Sequence, residues 1–395
     1  MIKFALRQNL CYVLQYIIWS FVRDLLIIGM DSLFKFNKSY IFAHCIFFGE
    51  LLAGLIMYLY LKKYNKKKKI QYFMSIKLRT ASSELAPSDS KIKIFSLIFL
   101  ITLCDLVEFS FCNIYLPKFF NLSKSLFKRL TGITTLFSFF FYVYALRLHV
   151  YRHHKFSLLI IGICLIVIIA TEFIFQKFDI YTSYISLIIA IVYIILGLIM
   201  WSCMDSVEKY LFEYDYMNPF VVLMYEGALG FFLSFINLLE RNYFYDIVLM
   251  YKQIDVGKFV LFISMIFAHI ILSGGKNLFR VITNKIFSPM VQTLLDYVLN
   301  PIYLIYYFGA QKDFKKNGKL YVAYFVINII ISIIISFFGC VYNEFIILFF
   351  CGLERNTHDQ ISKRADTKTS DIQIQLINLK NEDLSIESDN ESEDK

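Results

Sequence analysis

The sequence predicts an all-α polytopic membrane protein of about ten transmembrane helices, arranged as two inverted five-helix repeats. Three observations carry that expectation. Hydrophobic residues make up 58% of the 395 and charged residues only 18%, below the roughly 25% charged content of soluble domains. Apolar runs of the ~20 residues needed to cross a bilayer recur along the chain, more all-round apolar helix than a soluble core can bury. A glutamate beside small residues also occurs in each half: Phe48-Gly49-Glu50-Leu51-Leu52-Ala53-Gly54 and Tyr225-Glu226-Gly227-Ala228-Leu229-Gly230.

The apolar runs place spans near 9–29, 41–61, 94–115, 124–146, 157–176, 183–204, 219–239, 258–275, 289–309 and 320–340. Five spans separate the two glutamate motifs, an odd number, so equivalent helices run in opposite directions and a site is expected between the halves. Residues 1–176 form the first repeat, 177–353 the second, and 354–395 a disordered, acidic polar tail. Arg23-Asp24 interrupts the first span, and the apolar piece 345–350 either extends the tenth helix or lies at the interface.

Basic residues in short loops set the orientation. One side receives Lys3, Arg7, the 62–93 loop with Lys66-Lys67-Lys68-Lys69, the group Arg147, Arg152 and Lys155, and the group Lys276, Arg280 and Lys285. The other receives Lys35, Lys38, Lys118 and the 312–319 loop. The first set is larger, so both termini are expected in the cytosol. The net charge of +9 belongs to these loops and does not point to nucleic acid. The first apolar run lacks a small-residue cleavage site, so no cleavable signal peptide is expected. Cysteines 11, 45, 104, 112, 164, 203, 340 and 351 form no zinc-like CxxC and read as buried thiols.

Charges inside the spans are the candidates for chemistry: Arg23, Asp24, Glu50, Asp105, Glu108, Lys128, Arg129, Glu172, Glu226 and Asp296. Each costs several kcal/mol in lipid and so needs an inward face and a partner. Asp105 and Glu108 share one helical face. Lys128 and Arg129 are placed to meet an anionic solute or to neutralise that acidic face. Glu50 and Glu226 read either as protonatable groups or as hydrogen-bonded locks on helix packing. Gly227 and Gly230 read as a close helix contact. His149, His153 and His154, beside Arg152, lack acidic companions in the sequence and read as a solvated loop rather than a metal site. No Walker sequence, GxSxG or HExxH occurs, so neither enzyme chemistry, nor a cofactor, nor a metal is expected.

Several of these features together resemble the drug/metabolite transporter superfamily, and within it the nucleotide-sugar-transporter-like branch, solute carrier family 35 subfamily F, with EamA-like repeats. The resemblance rests on Glu208-Lys209 before Pro219, on Glu226-Gly227 with Gly230, on Phe48-Gly49-Glu50, and on Leu103-Cys104-Asp105. It continues through 125–132, 285–296 and Tyr342-Asn343-Glu344. Lys128 beside Arg129, and Asn300-Pro301, depart from the family pattern. The resemblance implies a secondary carrier that alternates access around a central cavity, with Glu50, Asp105, Lys128, Arg129, Glu226 and Asp296 as candidate lining residues. The basic pair in span 4 favours a small anionic or phosphorylated solute. The expected partners are that solute and the lipid bilayer, and a homodimer is compatible with the chain. The expected location is an endomembrane: Golgi, endoplasmic reticulum or a lysosome-like vacuole. Two alternatives stand beside the carrier: a scaffold or channel without alternating access, and, less favoured, a membrane-embedded transferase.

Overall fold

The computed structural model describes residues 2–4, 10–34, 39–67, 91–115, 124–146, 150–174, 184–215, 217–238, 255–287, 297–302 and 318–349, with isolated positions at 248, 252, 291, 305, 353, 357 and 360. Helix dominates them: α1 (Leu10–Leu33), α2 (Ser39–Lys67), α3 (Lys91–Phe109), α4 (Lys124–Leu130), α5 (Ile133–Leu146), α6 (Arg152–Ile174), α7 (Tyr184–Glu213), α8 (Pro219–Leu238), α9 (Val256–Ile286) and α10 (Gly318–Tyr342). Among the described residues seven helices, α1, α2, α3, α6, α7, α9 and α10, are long and apolar enough to cross a membrane, and α8 is a shorter apolar helix. Ile18, Ile56, Ile166, Phe232 and Ile271 lie exposed on these helices, as all-round apolar helices in a lipid environment require. The described residues are nearly all helical, and seven of the helices have the length and composition of membrane spans.

Contacts run between the two halves of the chain as much as within them. α2 packs on α8 and α9, α1 on α9, α3 on α7 and α8, α5 on α7, and α6 on α10. Glycines allow the closest crossings. A Cβ on Gly227 would stand 2.7 Å from the Phe47 carbonyl oxygen, and one on Gly54 would stand 2.7 Å from the Met224 nitrogen. α2 and α8 therefore meet nearly backbone to backbone, the arrangement small residues permit in membranes. α8 starts cleanly because Pro219 occupies its first turn and the Asn218 side chain accepts the Phe220 N–H at 2.9 Å.

Several expectations are corrected. α1 runs unbroken through Arg23-Asp24, whose side chains pair with each other at 2.9 Å. Expected span 4 is two helices, α4 and α5, divided by a turn at Thr131 and Gly132. There the Tyr297 hydroxyl receives the Gly132 N–H at 2.9 Å and itself donates to the Arg129 carbonyl oxygen. α9 does not stop at 275: it continues to Ile286, so Lys276, Arg280 and Lys285 are helix residues and not loop charges. The apolar piece after α10 does not extend that helix. It forms a strand, Ile346–Leu348, which pairs antiparallel with Ile2–Phe4. α3 ends in a π-helical turn, Ser110–Tyr115. Residues 62–67 of the expected 62–93 loop belong to α2 and 91–93 to α3; the rest of that loop, nearly all of the tail and His149 lie outside the described residues.

Candidate functional site

Arg280 is the centre of a buried polar cluster. It is 4% exposed on α9. One terminal nitrogen of its guanidinium, Nη2, donates to both carboxylate oxygens of Glu226 on α8, at 3.0 and 2.9 Å. The other, Nη1, lies 2.8 Å from Glu208 and 3.6 Å from Asp205, both on α7. Glu50 on α2 stands 3.9 Å away and receives a hydrogen bond from the Asn277 amide. Asn284 donates to Glu208 at 2.8 Å and to the Asp205 carbonyl oxygen at 3.0 Å. Asp105 on α3 joins the cluster, and one carboxylate oxygen from each of Glu50, Asp105 and Glu226 lies within 4.8 Å of the others.

The charge balance of this cluster decides what it can do. Glu50, Asp105, Asp205, Glu208 and Glu226 gather around one guanidinium. Lys276, a turn earlier on α9, adds a positive charge on the Asp105 side. Burying a charge is costly unless it is paired. Arg280 pairs several of these groups at once through a planar fork of five donors, which spans carboxylates on different helices more widely than the compact ammonium of a lysine. The carboxyl surplus leaves room for a proton or a cation and disfavours an anion at this point.

The expected site residues divide into groups. Glu50, Asp105 and Glu226 come together as described. Arg129 lies elsewhere: it is 1% exposed, bonds the Tyr324 hydroxyl and contacts the Asn328 side-chain oxygen at 3.4 Å, both on α10. It stands immediately before the break between α4 and α5. The side chains of Lys128 and Glu172, and all of Asp296, lie outside the described residues.

The motif residues have structural partners. Lys209 donates to the carbonyl oxygens of Asn284, Lys285 and Phe287, at 3.0, 2.9 and 2.6 Å, and pairs with Glu213 at 3.0 Å. A cation is thus seated on the C-terminal end of α9, where the helix dipole favours it. Gly230 faces the Phe47 ring. Tyr342 lies against His154, and the Asn343 amide donates to the Gly339 carbonyl oxygen at 3.0 Å.

Arg280, Asp205, Asn277 and Asn284 are cluster residues that sequence reading missed. A signal existed: Ser273, Asn277, Arg280 and Asn284 recur at helical spacing and make one polar stripe continuing the eighth span. Reading Lys276, Arg280 and Lys285 as a basic loop concealed it. Neither a family model nor a curated protein matches the chain. The family resemblance therefore rests on the quoted motifs.

Proposed function

We propose that this chain is a secondary-active transporter of a small anionic or phosphorylated metabolite, with ten spans in two inverted five-helix repeats that alternate access between the two sides. The observation that carries the reading is the placement of the buried charge cluster. Glu50 and Asp105 come from the first half, Asp205, Glu208, Glu226 and Arg280 from the second, and the cluster sits where α2, α3, α7, α8 and α9 converge. Inverted-repeat carriers hold their working groups between the halves.

Two further observations support it. Equate α1 with α7, α2 with α8, α3 with α9 and α6 with α10. The contacts α2–α8 and α6–α10 then map onto themselves, α2–α9 maps onto α8–α3, and α1–α9 maps onto α7–α3. The break between α4 and α5 beside Arg129 is also the kind of interrupted helix on which carriers build solute sites. In this reading Arg129, backed by Tyr324 and Asn328, meets the anionic group, and the Arg280 cluster exchanges a proton or cation that drives return.

The burial of Arg280 with Glu208 and Glu226, both fully enclosed, favours a second reading, a structural lock in a scaffold without transport. Counterflow in proteoliposomes, using nucleotide sugars and phosphorylated metabolites with and without an imposed pH gradient, separates the two. The carrier reading expects solute-dependent counterflow that Arg129→Gln weakens by a rise in KM. Folded protein that shows no counterflow with any member of the panel overturns it. Arg129→Lys loses as much as Arg129→Gln if a planar bidentate contact is needed, and less if charge alone suffices.

A further inference from the structure

We infer that His153, His154 and Glu344 form a binding site for one divalent transition-metal ion of the zinc type, which fastens the start of α6 to the end of α10. The inference stands apart from transport. In the sequence the histidines lack an acidic companion, and the structure supplies one from 190 residues away: one nitrogen from each imidazole and one carboxylate oxygen of Glu344 lie within 4.8 Å of one another. The solvated-loop reading is overturned as well, because both histidines sit in the first turn of α6 and His153 is 2% exposed.

Four details point to a ligand. First, His153 Nδ1 and Nε2 are buried without a hydrogen-bond partner among the described residues, a costly state for an imidazole. Second, His153 Nε2 stands 3.4 Å from Glu344 Oε1 without forming a hydrogen bond. Two ligands bound at ~2.0–2.1 Å to one tetrahedral zinc lie roughly 3.3 Å apart, so the spacing suits a shared ion. Third, the rings are held. The His153 and His154 centroids are 4.1 Å apart, and His154 lies 4.5 Å from the Tyr342 ring centroid; on ligation its Nδ1 gives up the long 3.4 Å contact from the Tyr151 N–H, since that contact and a metal compete for the ring's one lone pair. Fourth, Glu344 has a φ of 58°, in the left-handed region that a residue with a Cβ rarely adopts. The Glu344 N–H to Val341 and Phe345 N–H to Cys340 bonds, at 3.1 and 2.9 Å, hold that turn, which brings the carboxylate back over α6. Two imidazoles and a carboxylate are a borderline donor set, matched to zinc and its neighbours rather than to magnesium or calcium.

The test uses the full chain, purified through a non-histidine tag and stripped with a chelator. Zinc titration should give one ion per chain and raise the thermal midpoint. Cobalt should give the intense visible absorption of a low-symmetry, four-coordinate site. Outer-shell changes alone weaken zinc by about 10–100-fold, so His153→Gln or Glu344→Gln, each removing a ligand, should weaken it by about tenfold or more. His154→Gln, on the less buried ring, is the companion variant should His153→Gln fail to fold. Absence of zinc binding, or a weak octahedral cobalt spectrum, overturns the proposal. So does zinc binding that survives these substitutions, in particular if it is lost in Glu50→Gln, which would assign the ion to the Glu50, Asp105 and Glu226 group.

Discussion

Arg280 illustrates how one residue can hold several helices. Its guanidinium touches side chains from α2, α7 and α8 at once. Removing it leaves buried carboxyl groups without their shared cation, and breaking a buried pair in this way costs about 3–5 kcal/mol. Arg280→Met should therefore lower the thermal midpoint in detergent sharply. Arg280→Lys should recover only part of the loss, since an ammonium cannot bond both oxygens of Glu226 and still reach Glu208 in the same plane. Full recovery by lysine would show that charge, and not the fork geometry, holds the cluster. Lys209 is a second case: Lys209→Met uncovers the carbonyl oxygens of Asn284, Lys285 and Phe287. Amide hydrogen exchange over the last turn of α9 should then quicken, and unchanged exchange there would argue against the cap.

At the scale of elements, close helix crossings depend on what is missing from a side chain. A Cβ on Gly227 meets backbone of α2, including the Glu50 carbonyl carbon at 2.9 Å, while one on Gly162 in α6 meets nothing within 4 Å. Gly227→Ala should destabilise by about 1–3 kcal/mol through overpacking. Gly162→Ala should be neutral, or stabilising by up to about 1 kcal/mol through helix propensity. Thermal midpoints of the two variants check this, and equal shifts would refute the crossing argument. The break after α4 follows a related logic: Tyr297 fills the space beside Gly132, where a Cβ would meet its hydroxyl at 2.9 Å.

At the scale of the whole molecule, the short sheet ties the two ends of the described chain together. Lys3 pairs with Ile347 across the antiparallel strands. Antiparallel partners have Cα atoms about 4.5–5.5 Å apart, within disulfide range. Lys3→Cys combined with Ile347→Cys should therefore cross-link under mild oxidation in intact membranes. Failure to cross-link would separate the two ends and remove this support for placing them on one side. Lys276 and Arg280 are buried in α9 and add no loop charge to the expected cytosolic side. The 62–93 loop and the group around Arg152 remain on that side of the count.

Fold class was legible in the sequence because lipid demands long apolar runs, and their composition needs no tertiary partner to be read. Glu50, Asp105 and Glu226 were legible for the same reason: a carboxyl group within such a run stands out against its cost. The guanidinium that joins them was not, because Arg280 follows Gly274-Gly275 in a stretch whose polarity imitates a loop. Only the packing of α9 against α2, α7 and α8 shows that those polar residues face inward. His153 and Glu344 were unreadable as a pair on similar grounds. Their meeting depends on α6 lying against α10 and on a left-handed turn at Glu344, and local composition encodes neither. Hydropathy is a property of each segment alone, whereas a site made of groups from opposite halves exists only once the helices have chosen their neighbours.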